Sequence, residues 1–250
     1  MTHTIGVIGS GHLLKHMMPA LINTGDRFVI SKRGSAVSSE LARTFGVEVS
    51  DNNQSIVDQS DIVILAVRPF DAVAVCDVLT FSPDQTVLSL CAGISSSELA
   101  PCVSPARLVM AMPVVAAEFA ESPTLMFPED VRCRAVLQTC GPVLTLERED
   151  HFGPASTIAC YYGWLQELIS QMADWVSAHG VDPETARMLT SQMTRAAGTT
   201  VRERATTPIP ELVSELATPR SFTLKGLEVL RDADAFAPWK SAADALYRQD

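Results

Sequence analysis

The stretch Thr4–Met18, TIGVIGSGHLLKHMM, constrains the fold of this chain more than any other. Thr4–Ile8 is a short β-rich run of the kind buried inside a parallel sheet. Gly9-Ser10-Gly11 then turns the chain, and Leu13, Leu14, Met17 and Met18 come next at helical spacing. Strand, glycine turn and helix together make the first half of a dinucleotide-binding βαβ unit. Gly9 permits the tight turn, and Gly11 lets the backbone approach a pyrophosphate. The backbone from Ser10 through His12 and Leu13 then presents N–H groups to that anion, with His12 contributing its N–H rather than its ring. Leu14 stands at the third glycine position of the fingerprint, so the motif gains its force from the strands and helices downstream of it.

Phe28-Val29-Ile30 predicts the second strand, roughly 20 residues beyond the turn, where its end meets the adenosine ribose. An acidic residue there would bond a free 2′-hydroxyl and favour NAD. Ser31-Lys32-Arg33-Gly34 stands there instead. A hydroxyl and two cations suit a 2′-phosphate, so NADP(H) is expected over NAD(H); a solvated basic turn is the plain alternative. Further strands are predicted at Val47–Val49, Ile62–Val67, Thr86–Cys91, Arg107–Met112, Leu125–Phe127 and Val143–Leu146. Helices are predicted at Ser35–Phe45, around Val73, Val75, Val78 and Leu79, and over Glu129–Cys140. This alternation predicts an α/β Rossmann-like, largely parallel, doubly wound sheet over residues 1–148.

Past Glu147 the pattern changes. Ser156–Ala178 carries apolar residues at 3.6 spacing, with Gly180 placed to end the helix. A second helix opens at Pro183 and runs to about Arg204. Three shorter helical pieces come after the break at Thr206–Pro210, around 211–216, 221–231 and 235–249. Residues 149–250 therefore read as an all-helical domain, too apolar to stand alone, and a homodimer or higher oligomer is expected. The formal charge of −10 argues against nucleic acid and anionic membrane as partners. The six cysteines form no C-x-x-C pair or metal cluster and read as buried free thiols of a reducing cytoplasm. No signal-peptide pattern or apolar run of about 18 residues is present, so a cytoplasmic protein is expected, with a small-molecule substrate and no metal.

With these residues in place, the chain resembles the pyrroline-5-carboxylate reductase family along nearly its whole length. The matching pieces are Gly9–Met18, Ile64–Pro69 (ILAVRP), Ser89–Ile94 (SLCAGI), Met112-Pro113, Gln192, and Thr218-Pro219 with Thr223 and Gly226-Leu227. The resemblance implies NAD(P)H-dependent reduction of a cyclic imine, to proline in the family, and an intertwined dimer of the helical domain. By position it places Ala66, Val67, Arg68 and Pro69, with Cys91, Ala92 and Gly93, along the nicotinamide ribose, and Asn53 at the adenosine ribose. It assigns Thr223, with Thr218, to the reacting nitrogen; a helix-capping or buried threonine is the alternative for Thr223.

The departures lie at the substrate end. The family's Met-Pro-Asn-Thr-Pro reads Met112-Pro113-Val114-Val115-Ala116, and its Ser-Gly-Ser-Gly-Pro-Ala-Tyr reads Ala159–Leu165 (ACYYGWL). Its Ser-Pro-Gly-Gly-Thr-Thr reads Thr218-Pro219-Arg220-Ser221-Phe222-Thr223. Glycines in such a loop let backbone N–H groups close on a carboxylate, and side chains obstruct that approach. Arg220 is a bidentate replacement for them or a solvated arginine. Phe222 and Tyr162 are candidates to reshape the pocket; Tyr161, Tyr162 and Trp164 at helical spacing read first as core or dimer interface and second as pocket wall. The β-hydroxyacid dehydrogenases share the layout but use a lysine on the long helix, and the lysines here are 15, 32, 225 and 240. Two readings remain: an NADPH-dependent reductase of a cyclic imine acid, and a catalytically inactive NADP-binding sensor or scaffold.

Overall fold

The computed structural model describes residues 2–33 and 35–247, Ser35 by its backbone alone. Gly34 and residues 248–249 of the last predicted helix lie outside them. The chain divides into two compact units, Met1–Ala159 and Cys160–Asp250.

In the first unit β1 (Thr4–Ile8) leads through the glycine turn into α1 (His12–Leu21), succeeded by β2 (Arg27–Ser31), α2 (Ser35–Phe45), β3 (Glu48–Ser50) and α3 (Asn53–Asp58). Next come β4 (Ile62–Leu65), α4 (Pro69–Cys76), β5 (Thr86–Ser89), α5 (Ser96–Val103) and β6 (Arg107–Met112), then β7 (Thr124–Phe127), α6 (Val131–Leu137) and β8 (Val143–Thr145). Among the described residues these strands form one sheet in the order β3-β2-β1-β4-β5-β6-β7-β8. The order reverses between β1 and β4, and in such sheets ligands bind outside the strands' carboxyl ends at that reversal.

The apolar runs form strands because both faces are covered. Ile5, Val7, Ile62, Ile64, Leu88 and Val109 pack on one side with Leu14, Met17, Met18 and Leu21 of α1 and Leu41 of α2. Their alternates Ile8, Val63, Leu65, Val87 and Met110 pack on the other with Ala72 and Cys76 of α4 and Leu99 and Val103 of α5. A period-two strand with both alternates buried is the signature of a sheet sandwiched by helices.

β7 runs antiparallel to β6, with Met110 opposite Phe127, while β7 and β8 are parallel. The β6–β7 connection holds only a 3-10 helix, Val115–Phe119, and is too short for a parallel crossover, which needs about a dozen residues or more. The helix predicted over 129–140 is shorter. Asp130 caps α6 by accepting the Arg132 and Cys133 N–H groups at 3.0 and 2.9 Å, and Gln138–Cys140 tightens into a 3-10 turn. Val78 and Leu79 fall beyond α4: the Gln54 side chain binds both backbone groups of Thr80 at 2.8 and 2.9 Å and draws that segment away.

The helix predicted over 156–178 is interrupted. α7 (Phe152–Thr157) gives way to a 3-10 turn at Ile158–Cys160 before α8 (Tyr161–Ala178). Ser156 and Thr157 both donate to the Gly153 carbonyl, competing with the backbone ladder. The second unit continues with α9 (Pro183–Glu203), α10 (Ile209–Leu216), α11 (Phe222–Asp232) and α12 (Ala237–Tyr247). α8 packs chiefly on α9, and Trp239 of α12 makes edge contacts with Tyr161 and Trp164 of α8 at 5.7 and 6.3 Å between ring centroids.

Among the described residues of these helices only Ala186 and Leu212 are buried, while Trp175 is 58% and Met193 64% exposed. The reading of the cysteines as buried thiols holds for Cys76, Cys91, Cys133 and Cys140 but not for half-buried Cys102 or for Cys160, exposed where α8 begins. Among the described residues no helix is long and apolar enough to cross a membrane, and no acidic, His or Cys group is arranged to hold a metal.

Candidate functional site

The crevice lies at the carboxyl ends of the parallel strands. Gly9 has φ +105°, and a Cβ there would sit 2.4 Å from the Ala66 carbonyl oxygen. Glycine is thus required for the β1 turn to lie against the end of β4. Two hydrogen bonds fix that contact: Ala66 N–H donates to the Ile8 carbonyl at 2.8 Å, and Gly9 N–H donates to the Ser31 hydroxyl at 2.9 Å. Ser10 is buried as well, its hydroxyl donating to the Ser31 carbonyl.

Gly11 is different. Among the described residues beyond its two chain neighbours, nothing lies within 4 Å of where its Cβ would be, so their packing does not demand a glycine there. It is the N-cap of α1, with no side chain capping the helix and no acidic residue in its first turn. Lys15 N–H closes the first turn on the Gly11 carbonyl. The N–H groups of His12 and Leu13 precede that bond at the positive end of the helix, an arrangement that suits an anion. An open cradle above a glycine, backed by an uncapped helix, fits a dinucleotide pyrophosphate.

The other predicted cofactor residues lie at the same edge of the sheet. Lys32 is exposed, and its N–H donates to the Ser50 carbonyl at 2.8 Å, tying the end of β2 to β3. Ser31, by contrast, is 2% exposed. Its hydroxyl lies beneath the glycine turn, so the structure separates it from the two cations with which it is grouped in sequence. Arg33 is exposed, and its Nη2 donates to Oδ2 of Asp71 in the first turn of α4 at 3.0 Å. Asn53 opens α3, while its neighbour Asn52 caps that helix by accepting Ser55 N–H at 3.1 Å.

Ala66 and Val67 leave β4, Arg68 precedes α4 with its guanidinium over the Phe70 ring, and Pro69 is the first residue of the helix. Cys91 is buried, its thiol donating to the Leu65 and Val67 carbonyls at 3.5 and 3.4 Å. Burial raises its pKa above the ordinary thiol value. It therefore braces the β4 turn rather than offering a nucleophile. Ala92 and Gly93 come next, exposed.

In the helical unit Thr218–Ser221 form a turn, closed by Ser221 N–H donating to the Thr218 carbonyl at 2.9 Å. Pro219 takes its second position and Arg220 its third at φ +71°, the left-handed geometry that favours glycine there. Ser221 caps α11 by accepting Leu224 N–H at 3.1 Å. Thr223 is thus neither cap nor core: it is exposed within the first turn of α11, beside Phe222, which is 91% exposed. Tyr162 is half-buried on α8, a separate helix, whereas Tyr161 and Trp164 pack on Trp239. Asp71 and the bracing role of Ser31 escape sequence reasoning; the only sequence signal for Asp71 is an acid in a helix's first turn, which has a purely structural reading.

The parallel sheet with its dinucleotide crevice, joined to a helical unit, is the architecture of the NAD(P)-dependent oxidoreductases. Residues 4–93 match the family described as NADP oxidoreductase coenzyme F420-dependent, and residues 149–250 match pyrroline-5-carboxylate reductase dimerisation. The chain is similar, distantly and along nearly its whole length, to the pyrroline-5-carboxylate reductases. It is 26% identical to the pyrroline-5-carboxylate reductase of Methanosarcina acetivorans, covering 95% of this chain and 93% of that one. Among solved structures, 1-pyrroline-5-carboxylate reductase of Streptococcus pyogenes superposes with a TM-score of 0.87 at 23% identity, covering 99% and 98% of the two chains. Pyrroline carboxylate reductase of Plasmodium falciparum, solved with NADP bound, gives 0.86 at 17% identity over 99% and 96%.

Proposed function

We propose that this protein uses NADPH to reduce the C=N bond of a cyclic imine acid in the cytoplasm, as a homodimer joined through its helical part. The observation that carries this reading is the open cradle above Gly11 at the uncapped start of α1, in a chain related end to end to pyrroline-5-carboxylate reductases. In this reading residues 1–148 hold the dinucleotide and residues 149–250 serve substrate and dimer.

Reduced nicotinamide supplies the hydride when bound. The chain's own part is to bind and orient. Gly9 seats the turn against β4, the backbone of Ser10–Leu13 receives the pyrophosphate, Lys32 and Arg33 the 2′-phosphate, and Asn53 the adenosine ribose. Ala66–Pro69 and Cys91–Gly93 flank the nicotinamide ribose with backbone and small side chains. Thr223, with Thr218, holds the imine nitrogen by hydrogen bonding, which strengthens as charge moves onto that atom. Arg220 pairs with the substrate carboxylate, and Phe222 and Tyr162 shape the space for the ring. Because Arg220 and Phe222 stand where the family has glycine and threonine, the preferred substrate is an imine acid other than pyrroline-5-carboxylate.

The test is NADPH oxidation with a panel of cyclic imines, with and without a carboxylate. Turnover of an imine acid above that of pyrroline-5-carboxylate is expected. Tight NADPH binding with no turnover on any member would support the inactive cofactor sensor instead.

A further inference from the structure

The Arg33–Asp71 ion pair joins the segment after β2 to the first turn of α4. Arg33 comes after β2, and Asp71 lies in the first turn of α4, which comes after β4. β1 lies between those strands, so the pair spans the carboxyl end of β1, where the glycine turn begins. The two partners are not equally free. Asp71 is mostly covered, its N–H donates to the Arg68 carbonyl at 3.0 Å, and its carboxylate sits at the positive end of a helix. Arg33 is two-thirds exposed and reaches Asp71 through one Nη. The carboxylate is the fixed partner and the guanidinium the movable one.

This geometry, resting on the reading that Lys32 and Arg33 receive the 2′-phosphate, has a chemical consequence. A guanidinium paired with a carboxylate has part of its hydrogen-bonding fork and most of its field already committed. A ribose 2′-phosphate must draw Arg33 from Asp71 and tolerate a fixed negative charge nearby. A free 2′-hydroxyl needs neither. We propose that Asp71 is an internal anion competing with the 2′-phosphate for Arg33, and so sets how strongly the site prefers NADP over NAD. The preference is thereby held below what two unopposed cations would give. Exposed ion pairs are weak, so a dianion displaces the carboxylate at a modest cost in affinity.

The test is calorimetric binding of 2′,5′-ADP and 5′-AMP, which differ only in the 2′-phosphate, to the full chain. Asp71→Asn should tighten 2′,5′-ADP by about three- to tenfold at low salt, less at high salt, and leave 5′-AMP unchanged. Asp71→Ser, which keeps a residue favoured at helix starts, should repeat the effect and guards against a folding artefact. In an Arg33→Ala background the gain should vanish, since no guanidinium remains to be freed. Unchanged or weakened 2′,5′-ADP binding in both Asp71 variants would overturn the proposal, the weakened case showing that Asp71 positions Arg33 for the phosphate. Failure of the underlying reading looks different: unmodified protein that does not discriminate the two nucleotides, or discrimination that survives Lys32→Ala and Arg33→Ala together.

Discussion

Alanine at position 9 and alanine at position 11 should fail in different ways, although the two glycines belong to one motif. At Gly9 the new Cβ would lie 2.4 Å from the Ala66 carbonyl oxygen and 2.8 Å from the Val67 nitrogen, at φ +105°. The left-handed backbone alone costs an alanine about 1–2 kcal/mol. The clash is with backbone, so relief means lifting the turn from β4, which breaks the Gly9–Ser31 or the Ala66–Ile8 hydrogen bond. A buried bond of that kind contributes about 1 kcal/mol or more. Together these give a loss near ~3 kcal/mol, or roughly 6–12 °C in melting temperature for a chain of this size. Gly11→Ala meets nothing within 4 Å, so its cost is that of an alanine N-cap, about 1 kcal/mol or less. Its penalty should fall instead on dinucleotide affinity, where the methyl occupies the pyrophosphate's approach. Thermal melts with and without NADPH distinguish the two: Gly9→Ala lowers the apo melting point, and Gly11→Ala chiefly removes the ligand-induced rise. Equal apo melting points for the two variants would refute the assignment of Gly9 to packing and Gly11 to the ligand.

The same geometry supports three other expectations. Arg220→Gly should stabilise the protein by up to about 1 kcal/mol, by relieving the left-handed strain at φ +71°, while raising KM for an imine acid; a lower melting point would contradict the turn assignment. Glu129 is held down to a pKa of about 2 by hydrogen bonds from Arg134 and then Thr145. Its folded value is depressed, so its contribution is complete above about pH 4.5 and is lost as pH falls toward 2; urea midpoints across that range should flatten in Glu129→Gln and not in a distant control. Residues 150–250 should bury well over ~2,000 Å2 of mainly apolar surface in a dimer, as obligate interfaces do; light scattering showing a folded monomer at micromolar concentration would refute it.

The sheet was legible because its evidence is local. Ile62–Leu65 and Thr86–Ser89 are continuous runs in which each residue meets a covered face, and the glycine turn announces a strand-to-helix corner. The direction of β7 was not, because it depends on how a connection without an α-helix closes after Met112. At the site, the position of the basic turn could be read from its distance to the glycines. The inward rotation of Ser31 could not, since a serine offers the same hydroxyl to a buried amide as to a ligand. The Arg33–Asp71 pair joins residues 38 apart in sequence, and their meeting depends on the strand order rather than on either residue. Arg220 was visible as a side chain in place of glycine, but its left-handed backbone emerges only from the closed turn around it.

The hydrogen bond beneath the glycine turn limits how this chain could evolve toward another coenzyme. The simplest mutational route to NAD would put an acidic residue at the end of β2. Here Ser31 fills that place, closed in and accepting the Gly9 amide. A carboxylate in that covered place would lose its solvation, a costly arrangement unless it is paired. If the site takes NADP as proposed, a change of coenzyme preference would therefore act through Lys32 and its exposed neighbour before the strand.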